Sequence, residues 1–362
     1  MSDTGIRPTI YDIAREAKVS ANTVSRALNG KAGVAEATRA RVLRVSEDLQ
    51  YHPHLGARAL RTRQPGSIGL IYPAHPRDVP VSRNFFLFLC AELYRNFGTR
   101  GDRMYIDLNP YADGVNADYA RSVWQKLCSA CLFAGPLATN DTIMARIHAQ
   151  GLPYLALGRL DSLPDCSCAT VDYETAAFES VRYLAARGHT RIGILKALSG
   201  YQPGLERRRG YNRGLASLDL APEPRLVQPV SFDVQSVATA AYRLLNDRTV
   251  TALIDASGVE EAAAIREAAR RAGRVPGKDF DLICWTYTME HAMMNEACAH
   301  IWLPVREAAS EGLERLAAWY RGECEGPVQV LYAPTVLETG ALLPELPADS
   351  ARAAHLFDGH LV

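Results

Sequence analysis

From Ser67 onward the chain alternates short apolar runs with amphipathic helical patterns, and few folds accept that alternation. The first runs read SIGLIYP, MYIDLN, ACLFAG and PYLALGR, with helices expected over 84–98, 118–128 and 141–150. A second set opens with CATVDY and continues through RIGILKA, TALIDAS and DFDLICW, with helices over 174–187, 206–217, 234–246 and 260–272. Strands separated by helices pair in parallel and are covered on both faces. Two successive sets predict two α/β lobes. Ligands of such sheets sit beyond the carboxyl ends of the strands, here in the cleft between lobes.

The first 64 residues are different in kind. They hold eleven Lys/Arg against six Asp/Glu, a net +5, and the rest of the chain carries −5. A basic head on an acidic body suits a polyanion at the head alone. Thr9 with Asp12 three residues on reads as a capping box, and Ile10, Ile13, Ala14 and Ala17 form one apolar face. Val19 breaks that helix, and Ser20 caps a second over 21–28, closed by Asn29-Gly30. Val24, Ala27 and Leu28 face inward, and Ala21, Asn22, Ser25 and Arg26 face out. A third helix follows over 36–49. Two helices on a tight turn, the second with small polar residues at its start, make a helix-turn-helix able to enter a major groove.

The stretches TIYDIAREAKVS, NTVSRALN, TRARVL and YHPHLGARALRT resemble the DNA-binding headpiece of the lactose-repressor (LacI/GalR) family of bacterial transcription regulators. The resemblance implies that Ala21, Asn22 and Arg26 read base edges, Asn suiting adenine and Arg guanine. Thr9, Tyr11, Ser20, Thr23, Ser25 and Asn29 would contact phosphates. It makes YHPHLGARALRT a hinge helix that orders on DNA, and Ala57, Leu60, Arg58 and Arg61 part of the DNA contact. Leu60 would be the wedge between base pairs of the minor groove, against ordinary packing as the alternative. Ala35 departs from the family's Ser or Thr, a missing cap worth about 1 kcal/mol.

The body, more weakly, resembles the family's effector domain, itself similar to periplasmic sugar-binding proteins, through RNFF, YLALGR, ATVDYETAA, ARGHTRIGIL and ERRRGYNRGL. The implied fold is an N-terminal helix-turn-helix headpiece with a hinge helix, then a two-lobe α/β effector domain. The expected boundaries are 1–52 for the headpiece, 53–66 for hinge helix and linker, 67–345 for the effector-binding and dimerisation domain, and 346–362 for a tail. Within the domain, the first lobe takes about 67–170 plus 303–325 and the second about 171–300 plus 328–345. Arg207 falls at the family's effector-binding arginine, where a fork of donors can grip two hydroxyls or a carboxylate. Arg159, Pro73, Ser257 and Trp285 stand at strand ends as further effector contacts, with Tyr287 a second aromatic candidate. Phe85 and Phe86 offer an aromatic wall, or equally an interface, because FFLFLC is apolar all round its helix. Ser257-Gly258 and Thr286 replace hydroxyl anchors usual in the family, which leaves open a body that is only a scaffold or that binds a non-sugar metabolite.

The expected function is a sequence-specific regulator, a repressor controlled by a small carbohydrate-type effector. The expected partners are palindromic operator DNA, that effector and a second copy in a homodimer. The tail has no leucine heptads for a tetramer-forming coiled coil. No apolar leader follows Met1 and no run spans a bilayer, so the expected location is the cytoplasm, without membrane contact. The eight cysteines read as reduced structural thiols, Cys128-x-x-Cys131 included, since no second CxxC completes a metal site. No cofactor, metal or catalytic constellation is expected, and His189 reads as a structural turn residue.

Overall fold

The computed structural model describes residues 8–28, 32–49, 51, 67–73, 83–98, 102–107, 118–258, 263–288 and 297–338. Expectations for Asn29, the hinge residues Ala57, Arg58, Leu60 and Arg61, and the tail lie outside these residues. The chain divides into two units, 1–66 and 67–362.

Among the described residues the first unit has three helices, α1 (Ile10–Glu16), α2 (Ala21–Leu28) and α3 (Glu36–Asp48). They close on a small core of Ile13, Ala14, Ala17, Val24, Ala27 and Val42. The Thr9 N–H and hydroxyl donate to the Asp12 carboxylate at 2.9 and 2.7 Å, which fixes the start of α1. Lys18, with φ 51°, turns the chain. The Ser20 hydroxyl then accepts the Thr23 N–H at 3.1 Å and caps α2. Arg39 of α3 donates to the Ala27 carbonyl at 3.0 Å and ties the end of α2 down. Ala35 precedes α3 without a side-chain cap, as its methyl group dictates.

The second unit holds two six-stranded sheets. The first contains β1 (Ser67–Ile71), β2 (Arg103–Asp107), β3 (Ala130–Phe133), β4 (Tyr154–Ala156), β5 (Cys168–Val171) and β11 (Gln329–Tyr332), in the order β11-β5-β4-β3-β1-β2. The second contains β6 (Ile192–Lys196), β7 (Val227–Pro229), β8 (Ala252–Ala256), β9 (Asp281–Thr286), β10 (Ala299–Trp302) and β12 (Thr335–Glu338), in the order β12-β10-β9-β8-β6-β7. All pairings are parallel except β10 with β12. Helices α4 (Arg83–Phe97), α5 (Arg121–Trp124), α6 (Thr142–His148) and α11 (Val305–Tyr320) belong with the first sheet. Helices α7 (Tyr173–Ala186), α8 (Gln202–Ala216), α9 (Val234–Asn246) and α10 (Ala263–Arg271) belong with the second. The central strands β1, β3, β6, β8 and β9 are buried along their whole length, as strands covered on both faces must be.

Three expectations are corrected. CATVDY does not open the second lobe: Cys168–Val171 pairs with β4 and β11 in the first sheet, and the chain crosses after it at Asp172. Residues 328–345 do not all return to the second lobe, because Gln329–Tyr332 runs beside Cys168–Val171 and buries Val330 in the first core. The helix expected over 118–128 shrinks to Arg121–Trp124. Asp118 accepts from the Ala120 N–H and the Trp124 indole, and Lys126 at φ 55° stops further helix.

The ARGHT turn is structural. Gly188 ends α7 with φ 93°. His189 bonds Thr251 Oγ1 through Nδ1 at 2.9 Å and Asp281 Oδ2 through Nε2 at 3.0 Å, and Arg187 Nε donates to the same carboxylate at 2.5 Å. Burial alone would raise the Asp281 carboxyl, but the bonds from Arg187 and His189 outweigh it and hold it below its ordinary value. A lowered carboxylate stabilises the fold above its unfolded pKa of about 3.9, and that contribution disappears as pH falls through the lowered value. The melting-temperature gap between the wild type and Asp281→Asn is therefore expected to hold steady down to about pH 5 and to narrow progressively as the pH falls further toward about 2. A gap that stays constant over that range would show the ion pair to be energetically idle.

Candidate functional site

In the three-helix unit, Tyr11 is 71% exposed, and Asn22 and Arg26 lie on the open face of α2. Tyr11 and Asn22 make no intramolecular side-chain bond among the described residues, while Arg26 Nη2 donates to the Ala32 carbonyl. Ala21 and Thr23 are half-buried, and the Thr9, Ser20 and Thr23 hydroxyls serve the caps. One assignment is corrected: Ser25 is 6% exposed and faces the helical core beside Val24, so it offers no surface to a phosphate. At about 100° per residue position 25 falls about 60° beyond Leu28, at the edge of the inner stripe, and the packing of the three-helix unit covers it.

In the second unit a cavity of about 250 Å³ lies between the lobes. Strand ends build it, as parallel sheets require. Tyr72 follows β1, Gly135 and Pro136 follow β3, and Thr170 is the penultimate residue of β5 on the first lobe. Tyr173, Arg207, Phe232 and Tyr287 face it from the second. Arg207 is 3% exposed. Its guanidinium lies 4.8 Å from the Tyr173 ring centre and 5.1 Å from that of Trp285, rings which stack on each other at 6.1 Å. Its Nη2 reaches the Tyr287 hydroxyl at 3.5 Å, but Nε and Nη1 are buried without any protein acceptor. Unmatched buried donors are costly, so this arginine is set to bond something that enters the cavity.

The other expected contacts fare unequally. Phe85 lines the cavity. Phe86 packs instead toward Tyr72 at 6.4 Å, within the first lobe's apolar core. Pro73 is not on the wall; its neighbour Tyr72 is. Ser257 is buried and its N–H donates to Asp255 Oδ1 at 3.0 Å, so Gly258 is the residue that reaches the cavity. Asp255 is itself buried, and that burial pushes its carboxyl up; it supplies no anchor at the cleft. Trp285 is 1% exposed and forms the layer behind Arg207, its indole N–H donating to Ser180 Oγ at 3.1 Å. Thr286 is buried 3.0 Å from His300 Nδ1. Arg159 is not a cleft donor: its Nε donates to Glu206 at 2.8 Å and Nη2 to Asp172 at 3.3 Å, which commits it to joining the lobes. Among the described residues, no group of three His, Cys, Asp or Glu could hold a metal, and no helix is long and apolar enough to cross a membrane.

Residues 9–54 match the profile of bacterial regulatory proteins of the lacI family, and residues 65–289 match that of periplasmic binding proteins and sugar binding domain of the LacI family. The chain belongs to the LacI family. It is similar to the transcriptional regulator DegA of Bacillus subtilis, 23% identical over 92% of this chain and 97% of DegA. It is 26% identical to GalR of Salmonella typhimurium over 91% and 94% of the two chains. Among solved structures, a lac repressor dimer bound to operator and the anti-inducer ONPF superposes with a TM-score of 0.72 at 21% identity, over 93% of this chain and 99% of that one. A complex of the regulator CelR with cellobiose gives 0.61 at 22%, over 91% and 98%. As a LacI-family member this chain is a DNA-binding transcriptional regulator with an effector domain of the sugar-binding type, and not an enzyme.

Sequence reasoning missed Tyr72, Tyr173, Phe232 and Arg306 on the cavity wall. Tyr72 directly follows β1 and Tyr173 opens α7, so the rule that ligands gather at strand ends could have found both. Phe232 and Arg306 enter from the approach to α9 and the first turn of α11, where no local pattern marks them.

Proposed function

We propose that this LacI-family protein is a repressor that works as a cytoplasmic homodimer on a palindromic operator and is controlled by a carbohydrate-type effector held between its lobes. Arg207 carries the reading: a buried guanidinium with two unmatched donors, set between aromatic rings in a lobe–lobe cavity, is what a hydroxyl-rich ring needs. The relative crystallised with cellobiose supports a sugar. At the DNA, Asn22, Arg26 and Ala21 read bases, Tyr11 and the first turn of α2 meet phosphates, and Leu60 wedges the minor groove between Arg58 and Arg61. Exposed Leu87 and Tyr94 on α4 and Met104, Tyr105 and Ile106 on the edge strand β2 supply apolar surface for the dimer.

Operator titrations with and without a panel of sugars and sugar derivatives test this. Arg207→Met keeps the side chain's bulk and removes its donors. It is expected to bind operator like the wild type while losing at least about 30-fold in effector affinity. A variant that responds normally would remove Arg207 from the site, and a wild type that answers no ligand would favour the scaffold reading.

A further inference from the structure

We propose that the effector is an acidic compound, a phosphate ester or carboxylate of a small polar ring. Its anionic group would sit in a second pocket beside the cavity, between Lys196, Arg208 and the start of α8. The inference rests on the reading of the body as an effector domain.

The charge of the walls is the first argument. The described lining of the lobe–lobe cavity includes Arg207 and Arg306 and no carboxylate. A site for a neutral sugar needs acceptors for its hydroxyls, and carboxylates are the strongest acceptors a protein has. Here Ser257-Gly258 and Thr286 stand where such anchors are usual, and the acceptors on the wall are neutral groups such as Asn84, Thr170 and Thr288.

The second argument is the adjoining pocket of about 550 Å³. The same stretch of chain faces both spaces: Leu198, Pro203 and Arg207 look into the cavity, and Ser199, Gly204 and Arg208 into the pocket. Gly204 makes this possible, because a Cβ there would stand 2.0 Å from the Leu198 carbonyl oxygen. Lys196, at the end of β6, lines the pocket and is 8% exposed. Its ammonium has the Ser199 hydroxyl at 3.3 Å and no carboxylate among the described residues. Burial, then the charges of Arg207 and Arg208, push it below the ordinary lysine range. Three cations therefore crowd one another, and Arg208 makes no ion pair among the described residues. A buried charge without a counter-ion is unfavourable, and an incoming anion removes the penalty.

The helix start at Gln202 adds to the positive field. Gln202 lines the pocket and is 1% exposed, and its side chain, outside strict hydrogen-bond geometry, lies against the Asp161 and Glu206 carboxyls and pulls both down. It is the first residue of the 15-residue α8, whose dipole favours negative charge at that end. The Gln202 N–H is taken by the Leu137 carbonyl at 2.9 Å, so the dipole, not that amide, favours the ligand's charge. The pocket's acid, Asp161, is already engaged by both terminal nitrogens of Arg209. The excess charge facing the pocket is positive.

Calorimetric titration of the full chain with neutral hexoses and disaccharides, their phosphates, their uronic acids and inorganic phosphate tests the proposal. The acidic member of the recognised pair should bind at least about tenfold tighter than its neutral parent. Inorganic phosphate should compete with it. Lys196→Met should abolish the preference while melting no lower than the wild type in phosphate-free buffer, since Lys196 has no acid to lose; Arg208→Gln, at an exposed position, should weaken it without touching the fold. Phosphate esters preferred over uronic acids would identify the anion as phosphate, and the reverse as carboxylate. Neutral sugars binding as tightly as their acids would overturn the proposal and leave the effector reading standing. No binding by either series would overturn both.

Discussion

Gly210→Ala is expected to lower the stability of the second lobe by about 2 kcal/mol and to abolish the effector response with it. Alanine in a helix interior normally gains about 1 kcal/mol over glycine. Here α7 and α8 touch backbone to backbone, and a Cβ at 210 would lie 1.9 Å from the Glu174 carbonyl oxygen. Neither partner can rotate away. The helices must separate, and the separation loosens Val181, Tyr211 and Leu215 in the core between them. Overpacking of this kind costs about 3 kcal/mol, which exceeds the propensity gain. The same two helices carry Tyr173 and Arg207, so the cavity is lost as well. Urea denaturation followed by tyrosine and tryptophan fluorescence reads the loss as a lower midpoint. A midpoint equal to that of the wild type would mean that the helices can part at no cost.

Trp285→Ala should cost about 4 kcal/mol, the loss typical of emptying a fully buried aromatic site. The indole packs among Ile283, Ile301 and Val181 in the second core and stacks on Tyr173. Trp285→Phe separates its two roles. Phenylalanine keeps most of the stack and loses the N–H donated to Ser180, whose hydroxyl still has the Ala176 carbonyl at 2.7 Å. That variant should lose only about 1 kcal/mol. Equal losses in the two variants, measured by the same urea titration, would place the weight on the hydrogen bond and not on the ring.

The periodic features were the legible ones. The strands with continuous apolar runs emerge where expected because burial on both faces leaves no room for another pattern; α9 falls over Val234–Asn246 as read, with Asp233 accepting the Ser236 N–H. The strand Cys168–Val171 and its neighbour Gln329–Tyr332 were harder. Their order in the sheet is set by a partner 161 residues away, Ser167 Oγ accepting the Val328 N–H, and composition carries no trace of that. The site divides in the same way. Arg207 was legible by its place in a motif. Arg159 was misread because a guanidinium at a strand end suits a ligand or an ion pair equally, and only the approach of Glu206 decides between them. Ser25 was misread because its angle puts it at the edge of the inner stripe, and only tertiary packing decides that it is buried.

Arg159 has one more consequence. It leaves the first lobe after β4 and holds Glu206 of the second, while Asp161, two residues on, holds Arg209. The chain itself crosses between the lobes at Asp172, at Leu303-Pro304 and at Ala333-Pro334, all short segments. Two electrostatic latches thus flank the covalent pivots, and their strength enters the energy difference between lobe arrangements. A ligand shifts that balance only by its unequal affinity for the arrangements. Dissolved salt shifts it by screening the more exposed latch, Arg209 with Asp161, more than the sheltered one. The half-saturating concentration of any ligand that favours one lobe arrangement is therefore expected to move with ionic strength, so that dissolved salt acts as a second input to the same balance.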